Sequence, residues 1–426
     1  MCVAFAISGS LFLQFPFSVS VAMYIKGTSF PGYLKLVSSL NVLSFFITFE
    51  KTPIQNIITI INMPTDLQNS NTIKIVVLGA AGGIGQSLSL LIKSQIHYMV
   101  RSHTNVRIHL SLYDINEDMI SGVVADLSHI DTPVTISAHY NDLHNCLTDA
   151  SVILIPAGVP RKPGMTRDDL FSVNAGIVSQ LTDSIIKYCD LSKLFILLIS
   201  NPINSLVPVM AKKLMSCENS YGIEKRLFGI TTLDSTRGST FLKDTITLEK
   251  IASGLNSMEM PQVPVIGGHS GNTIIPVFSQ CSAADNLSQE TINHLVHRVQ
   301  YGGDEIVQAK KGKGSATLSM AHSSFKMLTK FMDLLLGNTP DITITSFISL
   351  RDSKNEPIAQ GSIELQSRIQ DLQYFAIPTV VTLQGINEIK YKIIDYLNSK
   401  ESNDLLPTCI NELKENIDQG LNFTRA

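Results

Sequence analysis

The chain has 426 residues, 36 acidic and 33 basic, giving a formal charge of −3 with histidine neutral; only 16 % of its residues are charged. That length accommodates two or three domains with large cores, and the near-neutral balance gives no electrostatic reason to bind nucleic acid or another polyanion. The composition lacks the biases of disorder, collagen or coiled coil, which leaves a globular, enzyme-like protein.

Residues 1–62 differ from everything after them. They hold four charges, Lys26, Lys35, Glu50 and Lys51, and residues 1–25 hold none. An uncharged stretch of that length can span a bilayer. Ser8, Ser10, Gln14, Pro16, Ser18 and Ser20 dilute its hydrophobicity, however, and no basic segment precedes it, as a secretory signal requires. A mitochondrial presequence is Arg-rich, whereas the first arginine here is Arg101. The favoured reading places residues 1–71 outside the fold, with the working polypeptide starting at Met63. A membrane anchor in residues 1–25 or a targeting role is the alternative. At the other end, Asn422-Phe423-Thr424-Arg425-Ala426 is not a peroxisomal address of the S-K-L type.

From Ile73 onward the pattern is regular. Ile73–Leu78 is a short β-branched run of the kind a strand buried on both faces requires. Gly79-Ala80-Ala81-Gly82-Gly83-Ile84-Gly85 follows directly, then a helical stretch over Gln86–Lys93. Further strands are expected over Val106–Tyr113, Ser151–Pro156 and Leu194–Ser200, with Ile177, Leu181, Ile185 and Tyr188 at helical spacing between the last two. Strands alternating with helices imply an α/β protein, doubly wound around a parallel sheet. In the glycine loop, Gly79 permits a tight turn, Gly82 lets backbone approach a pyrophosphate, and Gly85 lets helix pack closely on strand. The helix N-terminus then offers N–H groups and a positive dipole end to phosphate. Asp114, after the second strand, can accept both ribose hydroxyls and repels a 2′-phosphate, so NAD is expected rather than NADP. The connection to Asp114 is longer than the usual ~20 residues, and His97–Asn105 reads as a polar insertion.

After the strand Ser151–Pro156 comes a loop rich in Pro and Gly, Ala157 to Asp169, carrying Arg161 and Arg167. Open α/β sheets bind ligands at that end of their strands, and two guanidinium groups suit an anion bearing carboxylates. Leu233-Asp234-Ser235-Thr236-Arg237 puts a carboxylate and a guanidinium on one side of a helix start. The apolar Val263–Ile266 leads into Gly267-Gly268-His269-Ser270-Gly271, a histidine in a glycine-rich turn. Given a carboxylate partner, such a histidine works as a general base near neutral pH. A last helix near Thr408–Gln419 carries Ile410, Leu413 and Ile417 at helical spacing, with Gly420 as its stop. It is expected to pack on the second domain.

Together, Gly79–Gly85, the Arg161/Arg167 loop through Asn174, Ser200-Asn201-Pro202, Leu233–Arg237, Gly267–Gly271 and Gly314-Ser315-Ala316-Thr317-Leu318-Ser319-Met320 resemble the NAD-dependent malate dehydrogenases, in particular the fungal cytosolic and mitochondrial-type members. The likeness runs in order from about Ile73 to Leu421 and leaves residues 1–62 without a counterpart. It implies a Rossmann-type NAD-binding domain over 72–229 and an α+β catalytic domain over 230–426. It also implies that Arg237 clamps the carboxylate beside the reacting carbon, Arg161 the distal one, and Arg167 polarises the carbonyl. By the same likeness Asn201 hydrogen-bonds the substrate oxygen, His269 exchanges the proton and Asp234 orients it. Gly79, Ala80, Ala81, Gly82, Gly83, Ile84, Gly85, Asp114, Asn174, Ile199, Ser200, Asn201 and Met320 match cofactor contacts. NAD as cofactor, malate and oxaloacetate as substrates, a homodimer and a cytoplasmic location are the corresponding expectations, with no metal.

Rival patterns are weaker. A lactate dehydrogenase carries an uncharged residue where Arg161 stands. The Tyr-x-x-x-Lys of a short-chain reductase occurs at Tyr221/Lys225 and Tyr396/Lys400, in a turn-rich stretch and near the C-terminus. His294 and His297 read as one helix face rather than a metal site. The six cysteines form no CxxC pair and read as small buried hydrophobes of a reducing compartment. A catalytically silent protein on the same fold is disfavoured by retention of His269, Asp234 and three arginines.

Overall fold

The structure is a computed structural model and describes residues 71–159, 167–218, 220, 222–252 and 259–424, together with five short strands before residue 49. The chain divides into two compact units, Met1–Asn69 and Ser70–Ala426. In the first, β1 (Val3–Ile7), β2 (Ser10–Gln14), β3 (Ser20–Ile25), β4 (Tyr33–Val37) and β5 (Phe46–Thr48) pair antiparallel in sequence order. The uncharged residues 1–25 thus contribute strands, consistent with their β-branched and aromatic content. Among the described residues no helix is long and apolar enough to cross a membrane.

The second unit opens with the alternation expected from the sequence. β6 (Asn71–Leu78) runs into α1 (Gly83–Gln95), then β7 (Val106–Tyr113), α2 (Glu117–Ser128), β8 (Thr135–His139), α3 (Leu143–Leu147) and β9 (Ala150–Ile155). There follow α4 (Arg167–Tyr188), β10 (Phe195–Leu198), α5 (Ile203–Met215) and β11 (Leu227–Ile230). The strands stand in the order β8-β7-β6-β9-β10-β11, every neighbouring pair parallel. The last four residues of β6, β7, β9 and β10 are all buried, because helices cover both faces. Strand order reverses between β6 and β9, which opens a crevice at their C-terminal ends.

The remainder adds α6 (Thr232–Ala252), β12 (Val265–Gly267), β13 (Ile274–Pro276), α7 (Gln289–Ala309), α8 (Leu318–Leu335), β14 (Ile342–Ser349), α9 (Ser362–Gln366), β15 (Tyr374–Thr382), β16 (Gly385–Ile389) and α10 (Leu406–Leu421). Its antiparallel strands extend the first sheet: β14 pairs with β11 through Gly229↔Phe347 and Ile230↔Ser346, and β15, β12 and β13 follow outward. The hydroxyl of Ser346 donates to the Gly229 carbonyl across that junction at 2.7 Å.

One expectation for the last helix is corrected. Gly420 does not stop α10, which runs to Leu421 and is capped at Asn422. A methyl group at Gly420 would lie 2.2 Å from the Ser205 carbonyl oxygen, so this glycine lets α10 approach the backbone of α5 closely. α10 packs against β12 and β13 of the second half, as expected, and also against α5 of the first. It lies along α5, with Ser205 Oγ donating to Gln419 Oε1 at 3.1 Å, and so spans both halves of the sheet.

Candidate active site

Apart from Met320, the described site residues follow the C-terminal end of a strand or lie in the first turns of the helix after it. The N–H groups of Gly79 and Ala80 both donate to the Tyr113 carbonyl, at 2.9 and 3.0 Å, folding the glycine loop onto the end of β7. Gly79 adopts φ +93°, the left-handed region that favours glycine. A methyl at Gly85 would lie 2.2 Å from the Gly79 carbonyl oxygen and 2.6 Å from Ala80 Cα, so α1 can seat only with glycine there. Gly82 differs: a methyl there would meet only the Gly79 oxygen, at 3.5 Å. Gly82 is also the N-cap of α1, no side chain caps that end, and its first turn has no acidic residue. This loop therefore leaves a helix N-terminus free to receive phosphate oxygens.

Asp114 is tied to the same loop. Its Oδ2 accepts from Ala81 N–H at 2.9 Å and its Oδ1 from Asn116 N–H at 3.2 Å. Each oxygen has a second lone pair, so the capacity to accept ribose hydroxyls remains. Ile199 and Ser200 are stitched to the end of β9: both N–H groups donate to the Ile155 carbonyl at 3.0 Å, and Ser200 Oγ donates to Ala157 O at 2.5 Å. The buried Asn174, at the start of the third turn of α4, donates from Nδ2 to Asn201 O at 2.7 Å and accepts at Oδ1 from Val159 N–H at 2.8 Å. Its amide thus fixes two strand-end loops, whereas the sequence suggested only a cofactor contact. Asn201 itself is exposed and precedes a cis-proline, Pro202. Met320 is buried in α8, whose N-cap Thr317 would touch a methyl at Gly83 at 3.0 Å.

The candidate cluster of Asp234, Arg237 and His269 assembles from α6 and the turn after β12. Asp234 lies in the first turn of α6, where the dipole favours a negative charge, and is fully buried. Its Oδ2 is 2.5 Å from His269 Nδ1, and its Oδ1 is 3.7 Å from Arg237 Nη1. An ionised carboxylate only accepts, so Nδ1 carries a proton and Nε2 is left for exchange with a ligand. Arg237, one turn along α6, has a side chain only 11 % exposed. Burial pulls its guanidinium below its ordinary range, opposed by the carboxylates of Asp234 and Glu305. A buried guanidinium whose paired oxygen stands at 3.7 Å has donors to spare for an incoming carboxylate.

Gly302 on α7 was not singled out from the sequence. A methyl there would lie 3.0 Å from Arg237 Cδ and 3.1 Å from its Nε, so the glycine makes room for that side chain. The available signal was Gly302-Gly303 inside a helix, where each glycine costs about 1 kcal/mol relative to alanine. Arg161 lies outside the described residues. Arg167 opens α4, its side chain also outside them, so the first turn of that helix takes over residues 167–169 of the expected loop.

The rival patterns fall elsewhere. Tyr221 lies outside the described residues, and Lys225 sits in the single 3-10 turn Ile223–Arg226. Tyr396 ends another 3-10 segment and is 70 % exposed, far from a helical Tyr-x-x-x-Lys. His294 and His297 are exposed on α7, the latter against the ring of Tyr301. Cys146, Cys281 and Cys409 are buried thiols, and burial pushes Cys146 up to about 11 and the half-buried Cys189 up to about 12.

Comparison with known proteins bears on the same residues. Residues 73–229 match the lactate/malate dehydrogenase NAD binding domain, and residues 231–424 match the lactate/malate dehydrogenase alpha/beta C-terminal domain. The cytoplasmic malate dehydrogenase of Saccharomyces cerevisiae is 53 % identical over 364 residues, 84 % of this chain and 96 % of that protein. Mitochondrial malate dehydrogenase 2 of Arabidopsis thaliana is 42 % identical over 82 % of this chain and 90 % of its own. In fold, the chain is similar to the crystal structure of Cryptosporidium parvum malate dehydrogenase, with a TM-score of 0.62 at 24 % identity, covering 83 % of this chain and all of that one. With both domains matched in order and a relative more than half identical along nearly its whole length, the chain belongs to the lactate/malate dehydrogenase family.

Proposed function

We propose that this protein is an NAD-dependent malate dehydrogenase, interconverting malate and oxaloacetate with His269 as the group that exchanges the proton. The observation that carries the chemistry is the buried Asp234 carboxylate, 2.5 Å from His269 Nδ1 and 3.7 Å from Arg237 Nη1. A base, the group that fixes its tautomer and a carboxylate receptor stand within one constellation.

The residues present fit NAD. The side-chain-free N-terminus of α1 and the open face of Gly82 would hold the pyrophosphate, and Asp114 the ribose. Bound NADH supplies the hydride. The chain does the rest. Arg237 holds the carboxylate beside the reacting carbon, and Asn201 donates to the carbonyl oxygen. Nε2 of His269 delivers the proton to that oxygen as it gains charge, while Asp234 stabilises the imidazolium form that precedes delivery. In the reverse direction Nε2 accepts the same proton. Arg161 and Arg167, assigned from their place in the sequence, would bind the distal carboxylate and polarise the carbonyl. A monocarboxylate would leave a guanidinium unpaired, a penalty of several kcal/mol when water is excluded.

On this reading residues 72–229 serve the cofactor and 230–426 the substrate, the protein works as a homodimer, and its compartment is the cytoplasm, as for its yeast relative. NADH oxidation with oxaloacetate, pyruvate and 2-oxoglutarate, compared at equal concentration, tests the assignment. Oxaloacetate should be turned over with a kcat/KM at least about 100-fold above pyruvate. Equal rates with pyruvate, or no consumption with oxaloacetate, would overturn it.

A further inference from the structure

His269 stands at a tight turn in which Thr273 N–H donates to Ser270 O at 3.0 Å and Ser270 N–H to Thr273 Oγ1 at 3.1 Å, while the His269 amide itself has no partner within the turn. Gly267 and Gly271, on either side, take φ +99° and +47°, and the loop folds back through Gly268 N–H donating to Thr273 O at 2.7 Å. The next amide, that of His269, points to a side chain 65 residues earlier: Asn204 Oδ1 accepts from His269 N–H at 2.9 Å. Asn204 is only 1 % exposed. Its Nδ2 faces three oxygens, Ser270 Oγ at 3.0 Å, Thr273 Oγ1 at 3.2 Å and Asn416 Oδ1 at 3.1 Å. One carboxamide therefore grips the histidine's own backbone, both ends of the turn after it, and α10.

We infer that Asn204 is the positioning residue for His269: through His269 N–H it sets where the imidazole stands relative to Asp234, and through Asn416 it makes that placement depend on α10. Asp234 is fixed independently, on α6, so the 2.5 Å Nδ1–Oδ2 approach requires the loop to be held at one height. Proton transfer tolerates about 0.5 Å of misplacement. Without Asn204, the His269 amide would be a part-buried donor with no partner, and the loop would shift to satisfy it. Asn204 also lies three residues after Asn201, so one short segment fixes both the proposed substrate-side amide and the base.

This inference rests on the malate dehydrogenase reading, and the test separates the two. Wild-type protein, Asn204→Ala, Asn204→Asp and Asn416→Ala are compared for kcat, KM for oxaloacetate, the pH profile of kcat/KM, NADH affinity by fluorescence titration, and thermal midpoint. A silent wild type refutes the activity itself. With an active wild type, Asn204→Ala should lose about 10-fold or more in kcat, with NADH affinity within about two-fold. Its histidine-dependent limb should move by at least about half a pH unit. Asn204→Asp keeps the acceptor for His269 N–H and should retain more kcat than Asn204→Ala; Asn416→Ala should change kcat in the same direction by less. If Asn204→Ala does not fold, Asn416→Ala decides, by a fall in kcat with NADH affinity kept. Unchanged kcat and pH profile in folded Asn204→Ala, or in folded Asn416→Ala where Asn204→Ala does not fold, or a fall in thermal midpoint alone, would overturn the positioning role.

Discussion

At the scale of single residues, the substrate-side arginine has a competitor that the protein keeps occupied. Glu305, one turn beyond Gly302 on α7, attracts Arg237 and is itself held down in pKa, first by its hydrogen bonds with Arg298. Arg298 Nε and Nη2 each donate to a Glu305 oxygen at 3.2 Å, and the guanidinium lies 3.9 Å over the ring of Phe241. A carboxylate held by a stacked arginine is not free to fill Arg237, which is proposed to receive a carboxylate from the ligand. Arg298→Gln should release Glu305 to compete, raising KM for oxaloacetate about 3- to 10-fold with kcat within two-fold. Adding Glu305→Gln in the same chain should restore KM, because the competitor loses its charge. Steady-state kinetics of the single and double variants check this; an unchanged KM in Arg298→Gln would show that Glu305 does not reach Arg237.

At the scale of elements, the glycine loop separates packing from binding. Gly85→Ala puts a methyl into the Gly79 carbonyl and should destabilise the fold by about 1–3 kcal/mol by overpacking. Gly82→Ala meets nothing closer than 3.5 Å and should keep the thermal midpoint while weakening NADH, because the methyl occupies the side from which a pyrophosphate arrives. Parallel melting and NADH titration of the two variants distinguish these effects, and a Gly82→Ala protein with intact NADH affinity would sink the pyrophosphate assignment. This contrast also shows what the sequence made legible. The strand, loop and helix around Gly79–Gly85 follow from local rules, period and glycine chemistry, so β6, α1, β7 and the start of α6 stand close to where pattern alone put them. Asn204 bonds Asn416 across 212 residues, and Gly420 meets Ser205 rather than ending its helix. Pairings of that separation leave no periodic trace, which is why the role of Gly420 and the contact of α10 with α5 lie beyond pattern, while the His269–Asp234 pair is expected from the resemblance.

At the scale of the whole molecule, the two compact units differ in what they can contribute to the chemistry. The described residues proposed for cofactor binding and catalysis, from Gly79 to Met320, all lie within Ser70–Ala426, as do both family matches, 73–229 and 231–424. The yeast relative is covered over 96 % of its length by the 364 aligned residues of this chain. The sheet that carries the site starts at Asn71, paired with Val106, and needs no strand from the first unit. Units with separate internal contacts fold as separate bodies when no strand or core is shared between them. A chain starting at Met63 should therefore keep kcat/KM for oxaloacetate within about two-fold of the full-length protein and show the same main thermal transition. Kinetics and calorimetry on the two proteins give the answer, with fractionation of cell lysates reporting in parallel whether only the longer form sediments with membranes. Loss of activity or of the main transition in the shorter chain would mean that residues 1–62 belong to the catalytic fold, against the division drawn here.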